Sequence, residues 1–139
     1  MIEYGGATVP AVVERRSLAT AIRHGLMGRC PHCGVGRLFN GYLTVADHCT
    51  ECGEAFHHHR ADDAPPYITI SIVGHLIVGL MLSVEVAWHP PLWVHTALWV
   101  PLTIISALVL LRPVKGAVIG LQWALMMHGF DPNAPKEDE

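Results

Sequence analysis

Between Tyr67 and Leu111 the chain carries one acid, Glu85, and no lysine or arginine. Two apolar runs fill this stretch, YITISIVGHLIVGLMLSVEVAW at 67–88 and LWVHTALWVPLTIISALVLL at 92–111, parted by His89-Pro90-Pro91. Wound as helices, runs of about 20 such residues reach across the roughly 30 Å of a bilayer's hydrocarbon core, and they exceed the usual length of a buried helix in a soluble protein. So short a connection returns the second helix beside the first, and 67–111 is expected to form a transmembrane helical hairpin. Tyr67, Trp88 and Trp93 stand at the run ends, where aromatic side chains anchor helices in the interfacial layer. Arg60 precedes the first run, Arg112 and Lys115 follow the second, and the turn has no cation. Cations favour the cytoplasmic side, so both chain ends are expected there.

Ahead of Pro65 the composition turns polar, with six Lys/Arg against seven Asp/Glu, as in a small soluble head. The first 25 residues carry Glu3 early and no apolar run of signal-peptide length, so the head is expected to stay in the cytoplasm. In that reducing compartment clustered cysteines serve as metal ligands or redox groups rather than disulfides. All four cysteines fall in one window, as Cys30-Pro31-His32-Cys33 and Cys49-Thr50-Glu51-Cys52, fifteen residues apart.

That spacing fits a four-cysteine zinc site. A two-residue spacer lets two thiolates of one tight turn face one ion. Gly34 and Gly53, directly after the pairs, accommodate a left-handed backbone and let amides approach the sulfurs. Asn40-Gly41 lies between β-prone residues and signals a hairpin turn. Residues 26–56 therefore read as a zinc ribbon, a β-hairpin with two knuckles, in which Zn2+ on Cys30, Cys33, Cys49 and Cys52 replaces a core that so short a unit cannot bury. A thioredoxin-type dithiol needs a βαβ surround that this window cannot supply; exchange of an ion or electrons through the thiols stays as the alternative. A closed shell of four thiolates leaves no place for a substrate water, so no enzymatic role is expected. The net charge of -3, and two arginines against three acids over 29–56, speak against a nucleic-acid partner.

Several polar groups lie inside the apolar runs. Ser71, His75, Gly79 and Ser83 recur every four residues, a small and polar stripe suited to the contact between the two helices. Glu85 and His95 each lie five residues from Pro90, hence at one depth in an antiparallel hairpin. They form a candidate intramembrane polar pair, with a proton or metal role and snorkelling as the other readings. His75 is a packing-face histidine or a secondary metal ligand. It cannot share one iron with His95 within a single hairpin, because their levels differ by about 15 Å at 1.5 Å per residue. His57, His58 and His59 read either as a solvated linker, with Asp63 and Pro65 as helix-start chemistry, or as a second metal site. Beyond Pro113 the stretch to Phe130 is short and polar for a third crossing. It reads as an interfacial helix, with a continuation of the second helix as the near alternative. The tail at 131–139 reads as disordered.

The order of CPHCG, CTECG, HRADDAPPY, Gly74-His75, PPLWVH, LWVPLT and RPVKGAVIGLQWALMMHGFD, from about Arg23 to Asp131, resembles the bacterial membrane family catalogued as domain of unknown function 983. The pair His57-His58 departs from that family's usual linker and borrows nothing from it. The resemblance implies an inner-membrane protein associated with cytochrome c oxidase or its assembly factors. The expected organisation is an N-terminal segment (1–25), the zinc ribbon (26–56), a linker (57–66), the all-α transmembrane hairpin (67–111), an interfacial helix (112–130) and the tail. The expected function is that of a non-enzymatic accessory or assembly protein. It would contact the lipid bilayer and a larger membrane complex, with self-association allowed; the alternative is a metal or thiol-redox handling protein.

Overall fold

A computed structural model describes residues 16–57, 63–127 and 130. Three helices form: α1 over Leu18–Leu26, α2 over Ala64–Trp88 and α3 over Leu92–Ala124. The cysteine head joins α1 to α2.

Helix α1 starts at Ser17, whose hydroxyl accepts the Thr20 amide, and stops in a left-handed turn at Gly28 (φ 70). There the Arg29 amide donates to His24 and the Gly28 amide to Gly25, a crossed pair of bonds that satisfies the last carbonyls and delivers the chain to Cys30. Helix α2 begins after Asp63 with Pro65 in its first turn, where a missing amide costs nothing. It ends at His89 (φ 44), and Pro90-Pro91 turn the chain back into α3.

At 1.5 Å per residue the 25 residues of α2 and the 33 of α3 run about 37 and 50 Å. Both are long and apolar enough to cross a membrane, and most apolar side chains around them face outward. They meet through Val73, Ile77 and Trp99, flanked by Met81, Val84 and Leu110. The stripe Ser71, His75, Gly79 and Ser83 does not form this contact and is exposed. It lies two residues, or about 200°, from the buried line Thr69, Val73 and Ile77, so it occupies the opposite side of α2.

The expectation of a separate helix at 112–130 is corrected: α3 continues unbroken through Pro113 to Ala124. A proline inside a helix costs about 3 kcal/mol. Val114, Val118, Ile119 and Trp123 are all buried in the core of the head, and such burial returns about 1.5–3 kcal/mol per side chain, so packing outweighs the lost bond. Helix α1 crosses this end of α3 through Ala21 and Gly25 on one side and Gly116 and Gly120 on the other. A methyl group on Gly25, Gly116 or Gly120 would collide with the facing backbone. Arg16 closes the far end, its guanidinium over the Trp123 ring at 4.4 Å and donating to the carbonyls of Trp123 (2.7 Å) and Phe130 (3.2 Å).

The β-hairpin expected of the ribbon does not form as strands among the described residues. Three isolated antiparallel bridges remain, Arg29 with Arg37, Phe39 with Val45, and His48 with Ala55. The tip is also wider than a two-residue Asn-Gly turn, since the Asn40 amide donates to the Thr44 carbonyl at 2.8 Å.

Candidate metal centre

Each cysteine pair is set by the same local device. In the first, the Cys30 amide donates to Gly36 (2.8 Å) and the Gly34 amide to Cys30 (2.9 Å); in the second, Cys49 donates to Glu54 (2.8 Å) and Gly53 to Cys49 (3.0 Å). Gly34 and Gly53 sit at φ 71 and 76, conformations that cost a side-chain-bearing residue about 1–2 kcal/mol. The two turns face each other and bring four sulfurs together. Cys30 Sγ lies 3.6 Å from Cys52 Sγ, Cys33 Sγ lies 3.7 Å from Cys49 Sγ, and all four fall within 4.8 Å of one another.

A tetrahedral centre with metal–sulfur bonds of about 2.3 Å separates its sulfurs by about 3.8 Å. The donor set therefore fits a metal ion held by Cys30, Cys33, Cys49 and Cys52. None of the four is in a disulfide. Gly36 is part of the fit, because any Cβ there would run into Cys49 Sγ. Gly34 is hemmed in as well, since its Cβ would come within 2.7 Å of the His24 ring.

Charge is tuned by burial and by amides. Burial pushes the Cys30 thiol up despite the Cys33 and His32 amides that favour its anion, and burial likewise raises Cys52 against the Glu54 amide. At Cys33 burial acts in the same upward direction, but the Gly36 and Val35 amides and the neighbouring sulfurs of Cys49 and Cys52 win, and its pKa falls to about 6. Around the sulfurs, His32 Nδ1 lies 3.1 Å from a Glu54 carboxylate oxygen, which ties one knuckle to the other. The His32 ring stacks on Trp123 with centroids 5.4 Å apart. The C-terminal end of α3 thus supports the centre. Nothing in the spacing of the cysteines signals this; the small-residue pairs Ala21/Gly25 and Gly116/Gly120 are the sequence trace of it.

The other sequence candidates lie elsewhere. Glu85 and His95 meet, with His95 Nε2 2.8 Å from Glu85 Oε2, and His89 Nδ1 is 3.6 Å from Glu85 Oε1. His75 is exposed and bonds within its own helix, Nδ1 to the Ser71 carbonyl at 2.6 Å, with no packing against α3. His57 is exposed at the edge of the head; His58 and His59 lie outside the described residues, as does the tail at 131–139.

No curated protein and no solved structure matches the chain. A family model described as Protein of unknown function (DUF983) matches residues 39–123, from Phe39 in the head, past Cys49 and Cys52, through both long helices to Trp123. The match covers more than half of the chain, which therefore belongs to the DUF983 family.

Proposed function

We propose that this chain is a non-enzymatic accessory protein of the bacterial inner membrane, in which α2 and α3 cross the bilayer as a hairpin, the head and both chain ends are cytoplasmic, and the four cysteines hold a structural Zn2+. The four-sulfur cluster carries this reading. It supplies a whole tetrahedral shell and leaves no open position where a substrate could bind the ion. Burial of Cys30 and Cys49 in the same core as α3 supports a structural rather than a reactive role. The outward apolar faces of the hairpin suit a bilayer and docking against a larger membrane complex. For that complex we propose cytochrome c oxidase or its assembly factors, on the family resemblance alone. A second reading, exchange of an ion or electrons through the thiols, draws on one observation, the exposure of Cys52.

Protein purified from membranes is expected to retain one zinc per chain, and crosslinking in native membranes to recover oxidase subunits or their assembly factors. Zinc lost on washing, together with a Cys30–Cys33 disulfide in fresh lysate, would favour the exchange reading. Reporter fusions at residues 1 and 139 are both expected to report the cytoplasm, since the hairpin is antiparallel and α3 carries no further turn; reporters on opposite sides reject that topology.

A further inference from the structure

The tip of the head lies against the apolar part of α3. Gly41, Tyr42 and Leu43 project beyond the bridge between Phe39 and Val45, and two contacts from this turn and one from Phe39 at its base reach one stretch of helix. The Tyr42 hydroxyl donates to the Leu108 carbonyl, Lys115 Nζ donates to the Leu43 carbonyl at 2.9 Å, and the Arg112 guanidinium lies over the Phe39 ring at 5.3 Å. Leu108 is about 6 Å along the helix axis from Arg112, on the side of the uncharged run. Its neighbours Ile105 and Val109 are exposed, so Tyr42 touches the same surface that faces hydrocarbon when α3 spans. A side chain held at that level is in the bilayer too.

We propose that the Asn40–Thr44 turn is a membrane anchor that seats the cysteine head on the lipid surface, with the Tyr42 ring in the interfacial layer and Arg112 and Lys115 at the level of the lipid phosphates. The proposal rests on the reading that α2 and α3 span. Tyrosine suits the position, because its ring is apolar and its hydroxyl needs a polar partner. The Thr44 carbonyl takes the Asn40 amide and the Leu43 carbonyl takes Lys115, whose ammonium keeps two further donors for phosphate oxygens. The pairing of the Ala46 amide with the Leu38 carbonyl at 2.9 Å carries the fixed position on from the tip toward the sulfurs. A partner of the head must then itself lie at the membrane face.

Photocrosslinking of the full chain in phosphatidylcholine vesicles tests this, with p-benzoylphenylalanine replacing Tyr42, Val109 or Val35. Lipid adducts are expected from 42 and 109 and none from 35, which is exposed on the head. Lipid adducts from 109 but not from 42 would overturn the anchor and leave the spanning reading standing. Their absence at 109 as well would overturn both. Hydroxyl-radical footprinting of the unaltered protein in the same vesicles gives an independent readout that needs no substitution. Tyr42 is 47% exposed in the chain alone and is expected to be protected by lipid, whereas labelling that matches this exposure, once normalised for the intrinsic reactivity of tyrosine and scaled to Val35, overturns the proposal.

Discussion

His95 lies between Trp99 and Glu85: the Trp99 indole N–H donates to His95 Nδ1 at 2.9 Å, and His95 Nε2 faces a Glu85 carboxylate oxygen at 2.8 Å. An indole nitrogen can only donate, so Nδ1 must offer its lone pair and the ring proton belongs on Nε2, where it points at Glu85. The imidazole is therefore neutral while both bonds hold, and it serves Glu85 as a hydrogen-bond donor. Nε2 in this state has no lone pair for a metal. The 15N shifts of His95 would read this tautomer directly.

That arrangement predicts the behaviour of Glu85→Gln. The glutamine carbonyl still accepts from Nε2–H, so the contact survives the loss of charge, and membrane abundance is expected to stay within about twofold of wild type. His95→Ala instead leaves the buried Trp99 N–H without a partner and the Glu85 carboxylate with only the longer contact to His89, and abundance is expected to fall several-fold. Quantitative blotting of membranes measures both. Normal abundance of Glu85→Gln with loss of oxidase activity in the host membranes would instead assign the carboxylate a proton or metal role.

The glycines of the cysteine head separate two effects. Gly36→Ala places a methyl where Cys49 Sγ lies, so the metal content of the purified protein is expected to drop well below one ion per chain while the hairpin stays membrane-bound. Gly53→Ala meets no neighbour and suffers only its left-handed backbone. It is expected to keep the metal and lose about 1–2 kcal/mol of head stability. Elemental analysis together with chemical denaturation distinguishes the two. Equal metal loss in both variants would refute the steric account.

Metal affinity should weaken as pH falls. Binding requires thiolates, and the Cys30 and Cys52 thiols, both raised above the ordinary cysteine value, stay protonated at neutral pH, so the ion must displace their protons. Cys33, with its pKa near 6, is already ionised at neutral pH and becomes a competitor for protons only below about pH 6. Apparent affinity is therefore expected to fall from pH 8 to 6 and more steeply from pH 6 to 5, as measured by competition with a chromophoric chelator. A flat profile over that range would mean that the thiols do not bind the ion.

Local chemistry made part of the structure legible in the sequence. The cysteine spacing brings four sulfurs together, the glycines after the pairs take left-handed angles, and equal counting from Pro90 puts Glu85 beside His95. What the sequence hides is long-range. Pro113 reads as a helix stop because the gain from packing Val118, Ile119 and Trp123 against the head is written nowhere near it. Ser71, His75, Gly79 and Ser83 repeat as regularly as Thr69, Val73 and Ile77, so periodicity alone cannot say which side of α2 meets α3. The expected boundary at 25/26 cuts α1, whose nine residues, Leu18–Leu26, are too few to be stable alone and are held by the crossing with α3.

That crossing gives the last prediction. Replacing glycine with alanine inside a helix normally stabilises it by about 1 kcal/mol, since alanine restricts the unfolded chain and shields the backbone. At Gly120 the sign should reverse, because the added methyl meets the Ala21 carbonyl across the interface and forces α1 away from α3. The displaced helix would pull Arg16 from the Trp123 and Phe130 carbonyls and loosen the His32–Trp123 stack beside the first cysteine pair. Gly120→Ala is therefore expected to lower head stability by about 1–3 kcal/mol, the usual range for overpacking, and to accelerate loss of the metal to a chelator. Gly74→Ala, where nothing lies within 4 Å of the new methyl, is the control and is expected to be neutral or mildly stabilising. Thermal denaturation and chelator kinetics on the two variants decide the matter: a Gly120→Ala protein as stable as Gly74→Ala, releasing its metal at the wild-type rate, would mean that α1 is not packed on α3 as described.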